Sequence, residues 1–218
     1  MSLAGKTVAC FGDSTTWGDN GIGTGSNAIA WPVWLPELAG VREAKNFGVK
    51  GSRIAVKSDR TDSFVERFPA LDLTADVIVL FGGVNDFCRD VPLGKMGDED
   101  VYCFYGALDY LVCGILSRYP EAKLVLMTPA KTAGVPAKGL PAFDVANGVG
   151  LKECAYAEAM REVADRYSVP VVDLYSSSGI SPLIAEQRKR YMPDGLHYSA
   201  AGYRKLAERI VSGLEALV

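Results

Sequence analysis

The 218-residue sequence holds a single histidine, His197. A histidine-rich zinc site is thereby excluded. Its five cysteines, Cys10, Cys88, Cys103, Cys113 and Cys154, are odd in number and include no C-x-x-C pair. That usage argues against a disulfide framework and for a reducing compartment. Cys10, in an expected buried strand, and Cys113, in an expected helix, read as small core residues. Basic residues are not in excess: 23 Lys and Arg stand against 26 Asp and Glu, for a net charge of −3. Nucleic acid is therefore not an expected partner. No apolar run approaches the length of a membrane span. The opening Met1-Ser2-Leu3-Ala4-Gly5-Lys6 carries no signal-peptide core. A cytoplasmic protein without a membrane partner is expected.

Several site motifs are also missing. Gly21-Ile22-Gly23-Thr24-Gly25 has Ser26 where a dinucleotide loop needs its third glycine, and it does not directly follow a strand. It reads as a flexible loop. Gly5-Lys6-Thr7 lacks the upstream glycine of a phosphate loop and precedes a strand. No G-x-S-x-G is present, which disfavours the nucleophile elbow of α/β-hydrolases. No cofactor is expected.

What is present is an alternation of strands and helices. Thr7-Val8-Ala9-Cys10-Phe11 is short, apolar and bounded by glycines, as a buried strand should be. Glu43 to Phe47 is a weaker strand. Ala75 to Phe81 is apolar on both faces, which suits the centre of a parallel sheet. Lys123 to Met127 and Val169 to Leu174 complete the strands. Helices are expected at Trp31 to Leu38, Ser63 to Phe68, Val101 to Tyr119 and Leu151 to Tyr167. The last should start near Ser199, a good N-cap, with Tyr203, Leu206, Ile210 and Leu214 as its apolar stripe. About five such alternations, with no linker or repeat, argue for one three-layer α/β domain over residues 1–218 with a parallel sheet of about five strands. The stretch Ala130 to Gly150 has no periodicity. A loop that long in a compact domain is usually functional, as a lid or rim.

Four stretches follow expected strand ends or open the final helix: Gly12-Asp13-Ser14, Gly48 to Gly51, Gly83-Val84-Asn85-Asp86 and Asp194-Gly195-Leu196-His197. Strands of a parallel sheet present their carboxyl ends on one edge, so the first three stretches converge there, and the fourth, which opens the final helix, can reach the same edge. Locally, Asp13 or Ser14 could simply cap the following turn. Together, the stretches supply what ester hydrolysis by a serine needs. A hydroxyl needs a base, and His197 is the one imidazole available. The imidazole needs a carboxylate, and Asp194 lies three residues earlier, within reach of Nδ1. The developing oxyanion needs fixed donors, which the Ser14 N–H, a glycine N–H and the Asn85 side-chain amide can provide.

On these residues the chain resembles the SGNH, or GDSL-type, hydrolases. Gly12-Asp13-Ser14 matches the first family block, with Thr15 where leucine or isoleucine often stands. Gly83-Val84-Asn85-Asp86 matches the G-x-N-D block and Asp194-Gly195-Leu196-His197 the D-x-x-H block. The looser second block places its glycine at Gly48 or Gly51, and Gly51, which closes the run, is the better match. The resemblance implies a flavodoxin-like doubly wound fold and a Ser14–His197–Asp194 triad. It implies Ser14, Gly51 and Asn85 as oxyanion donors, with Asp13 holding the turn. It also implies an esterase for small acyl groups, O-acetyl groups on sugars foremost. Trp17, Trp31, Trp34, Tyr102 and Phe104 are candidates for stacking on a sugar, each also a natural core residue. The rivals are an acyltransferase, a lipase or thioesterase on the same site, and a non-catalytic binding module.

Overall fold

The computed structural model describes residues 2–217; Met1 and Val218, included in the expected 1–218 span, lie outside the described residues. Five strands, β1 (Thr7–Gly12), β2 (Glu43–Gly48), β3 (Val77–Phe81), β4 (Lys123–Met127) and β5 (Val171–Val172), form an all-parallel sheet in the order β2-β1-β3-β4-β5. This is the doubly wound order in which the chain reverses direction across the sheet between β1 and β3. The expected α/β class, strand count and winding are those observed.

Strand side chains alternate between two cores, as a period of two requires. Ala9, Phe11, Ile78, Leu80, Leu124 and Leu126 face one side, packed with residues of the helices Phe104–Arg118 and Glu153–Arg166. Val8, Cys10, Val77, Val79, Phe81, Val125 and Met127 face the other, with Trp31, Leu35 and the helix Ala200–Leu217. The central strands are buried on both faces and therefore read as continuous apolar runs, whereas edge strand β2 is only half-buried and carries Glu43, Lys45 and Asn46.

Local structure departs from expectation where short signals compete. Pro32 and Pro36 split the expected Trp31–Leu38 helix into a 3-10 turn, Trp31–Trp34, and a short helix, Leu35–Ala39. β5 is two residues long because Asp173 already caps the next helical turn, accepting from the Ser176 N–H. Cys113 is exposed on its helix rather than in the core; Cys10 is buried as expected. The loop beginning at Asp19 is not loose, because the Asn20 side chain bonds the N–H groups of Ile22 and Thr24 and the Thr24 hydroxyl. Among the described residues no helix is long and apolar enough to cross a membrane.

Candidate active site

Ser14 stands at the switch point, immediately beyond β1. Gly12 is required there, since a Cβ would lie 2.0 Å from Thr16 Oγ1. The Asp13 carboxylate caps the turn, accepting from the Thr15 N–H and hydroxyl, each at 2.8 Å. Burial pushes the Asp13 carboxyl up, against the Thr15 hydrogen bonds and the charges of His197 and Arg67. Ser14 thus begins the one-turn helix Ser14–Trp17, and its own N–H has no protein acceptor among the described residues.

The D-x-x-H stretch folds onto this hydroxyl from the other end of the chain. Asp194 Oδ1 accepts the N–H groups of Leu196 (2.9 Å) and His197 (2.7 Å), which closes a tight turn. Asp194 Oδ2 lies 2.7 Å from His197 Nδ1, and His197 Nε2 lies 3.0 Å from Ser14 Oγ. Burial raises the Asp194 carboxyl, but the hydrogen bonds from the His197 ring and backbone and the ring's charge outweigh it and hold the carboxyl below the ordinary range. Gly195 has φ +90°, and its carbonyl accepts from the Ala133 N–H (2.7 Å) and the Thr132 hydroxyl (3.1 Å). The start of the long 130–150 loop is therefore a brace under the histidine turn. Thr132 is itself held by Glu153, whose Oε2 accepts its N–H at 3.1 Å.

Gly51 reaches the same edge in the loop after β2, with φ +74° and an N–H that has no protein acceptor among the described residues. Two residues outside the expected set hold that loop. Asp86, fully buried, accepts the N–H groups of Ile54 and Ala55, both at 2.9 Å. Arg67 donates to the carbonyls of Gly12 and Phe47 and to the Ser52 hydroxyl, with its guanidinium against the Phe11 and Phe64 rings. Burial lowers Arg67 to about 10, countered by Asp13 and Asp62. The last letter of the G-x-N-D block was a signal for Asp86; Arg67 had none beyond the Ser63–Glu66 capping box that opens its helix.

Asn85 sits at the amino end of the helix Val84–Cys88, beyond β3. Its Nδ2 donates to Asp13 Oδ2 (3.2 Å) and the Ser52 carbonyl (3.1 Å), tying the three strand-end loops together. A further carboxylate joins the site: Asp19 Oδ2 lies 3.8 Å from His197 Nε2 and 2.9 Å from Lys50 Nζ. Of the aromatic candidates, Trp31 and Phe104 are fully buried in the cores, Tyr102 is exposed, and Trp17 lies under the Lys50 ammonium.

This doubly wound α/β fold, with a Ser–His–Asp line at its switch point, has the architecture and arrangement of a serine hydrolase. The chain belongs to the GDSL-like lipase/acylhydrolase family, whose model matches residues 10–205. It is an enzyme of the carboxylic ester hydrolase type. No match is found among curated proteins. A crystal structure of a 60% identical chain aligns with a TM-score of 0.97, covering 100% of this chain and 99% of that one. A protein from Lactobacillus plantarum, 32% identical, aligns at 0.86 over 99% of each chain. A carbohydrate acetylesterase family member from Sinorhizobium meliloti, 20% identical, shares the fold at 0.67 over 97% of this chain and 96% of that one.

Proposed function

We propose that this protein is a cytoplasmic serine esterase that hydrolyses small acyl esters, O-acetyl esters of carbohydrates foremost, through an acyl-enzyme on Ser14. The observation that carries the reading is the unbroken Asp194–His197–Ser14 line of 2.7 and 3.0 Å contacts, with the N–H groups of Ser14 and Gly51 at the same sheet edge left without a protein acceptor among the described residues. The Asp194 carboxylate accepts from Nδ1–H, which leaves the Nε2 lone pair for the serine proton. Ser14 Oγ attacks the acyl carbonyl as Nε2 takes its proton. The carbonyl oxygen, now negative, receives the N–H groups of Ser14 and Gly51 and one hydrogen of the Asn85 amide, turned from the Ser52 carbonyl. Imidazolium returns the proton to the leaving alcohol oxygen, and the C–O bond breaks. Water then enters, gives its proton to Nε2, and attacks the acyl carbon. Ser14 leaves with that proton, releasing the acid.

The acetyl and carbohydrate preference rests on the fold shared with the carbohydrate acetylesterase family member. The cytoplasmic location rests on five cysteines that are all free. The test is covalent labelling by an organophosphonate, followed by mass spectrometry. Label on the Ser14 peptide, lost in Ser14→Ala together with ester turnover, is the expected result. Labelling that survives the substitution overturns the assignment.

A further inference from the structure

Asp19 carries a carboxylate beside the base-side nitrogen of His197. On the reading above, the leaving oxygen takes its proton from His197 Nε2 and so approaches it to about 3 Å. Asp19 Oδ2 is 3.8 Å from that nitrogen. An alcohol leaving through that nitrogen therefore brings its first carbon and the next substituent within reach of this carboxylate. Its position is built, not incidental. The Tyr203 hydroxyl donates to the Asp19 carbonyl at 2.6 Å, the Asp19 N–H donates to the Ser14 carbonyl at 3.0 Å, and the Gly21 N–H donates to Oδ1 at 3.1 Å. Lys50, one residue before Gly51, reaches Oδ2 at 2.9 Å with its ammonium 4.8 Å from the centre of the Trp17 ring. Asp19 is almost buried, whereas the Lys50 side chain is half-exposed.

We infer that Asp19 and Lys50 form the subsite for the alcohol half of the substrate, and that this subsite selects alcohols with a free hydroxyl next to the ester oxygen, as in a partly acylated sugar or glycerol. The inference rests on the esterase reading and adds what its alcohol must be. A carboxylate only accepts and an ammonium only donates. A neighbouring hydroxyl does both, giving its hydrogen to Asp19 and taking one from Lys50. A hydrocarbon alcohol pressed against the same pair strips water from two charges and replaces nothing, which is the stronger basis for discrimination. A hydroxyl is also short enough to bridge from the neighbouring carbon without moving the acyl group off Ser14.

The test compares each hydroxylated ester with a partner whose free hydroxyls are absent or masked as methyl ethers. Propylene glycol monoacetate is set against propyl acetate. A methyl pyranoside bearing a single O-acetyl group is set against its analogue with every free hydroxyl methylated, and monoacetylglycerol against its dimethyl ether. The ratio of kcat/KM within each pair is read for the wild type, Asp19→Ala and Lys50→Met. The wild type should favour the hydroxylated member by about tenfold or more. The ratio should fall to near unity in Asp19→Ala and fall in part in Lys50→Met. The pyranoside and glycerol arms decide which polyol fits. A wild-type ratio near unity overturns the inference whatever the variants do. So does a ratio unchanged in folded Asp19→Ala, even if both rates drop together. Failure of the esterase reading is seen separately, as turnover of both esters by Ser14→Ala.

Discussion

Asp194 and His197 are joined twice, Oδ2 to the ring Nδ1 and Oδ1 to the backbone N–H, both at 2.7 Å. One carboxylate thus sets the turn, the ring orientation and the tautomer. Asp194→Asn presents an amide that can leave the ring in the wrong tautomer, with its proton on Nε2 facing Ser14. Ester turnover should fall by roughly 10³–10⁴ while the melting temperature moves little, by analogy with the same change in other triads. Steady-state rates on an activated acetyl ester, beside a thermal melt, check this; a loss of less than tenfold would show that Asp194 does not orient the base.

Asn85→Ala removes the amide that reaches Asp13 and the Ser52 carbonyl. If the amide also serves the oxyanion, kcat should fall about 10²–10³, some 2.7–4 kcal/mol, with KM changed far less. Stability should fall as well, by about 1–3 kcal/mol, because the Ser52 carbonyl and Asp13 are left short of a donor. Denaturant melts and kcat together separate the two roles. A stability loss with kcat intact assigns Asn85 to structure alone.

Asp86→Ala should act on Gly51 through the loop between them. It strips the acceptors from two buried N–H groups, those of Ile54 and Ala55, at a cost of about 1–3 kcal/mol each. The loop that carries the Gly51 N–H should loosen and kcat should drop. Asp86→Asn keeps one acceptor and should recover part of both. Hydrogen exchange at Ile54 and Ala55 reads the loosening directly; exchange no faster than in the wild type would overturn the brace.

The strands were legible because the central ones are buried on both faces, so their apolar runs had one explanation. The D-x-x-H turn was legible because the chain has one histidine, with a carboxylate at the spacing a turn needs. Asp19 and Lys50 were not legible. They lie 31 residues apart in a loop and after an edge strand, and only the folded sheet edge brings them to His197. The brace from Thr132 to Gly195 was hidden for the same reason: the contact spans 63 residues and uses a backbone carbonyl, which no side-chain pattern announces. Asp173 ends β5 by capping the next helical turn, local chemistry that the run of apolar residues before it hides. Asp13 was legible as a possible cap, since an aspartate just before a helical turn suits that role, and its carboxylate does accept the Thr15 N–H and hydroxyl.

The final expectation concerns Glu153. It is fully buried, its Oε2 accepts the Thr132 N–H, and its Oε1 has no partner among the described residues. Burial raises its carboxyl from an ordinary 4.5 to about 8, against the Thr132 hydrogen bond and the Lys131 charge. Between those values the native state keeps the proton and the unfolded chain has lost it. The slope of unfolding free energy with pH follows protons bound in the unfolded state minus those bound in the native state, which is negative here. Glu153 therefore lowers stability progressively as pH rises from about 4.5 to about 8, and adds no further slope above that. Glu153→Gln cannot ionise and keeps an acceptor for Thr132. Its melting temperature should gain on the wild type as pH climbs through that window, and the gap should stop growing above it. Melts of both proteins at a series of pH values measure this, and a gap that is constant with pH would mean that Glu153 is already ionised in the folded protein.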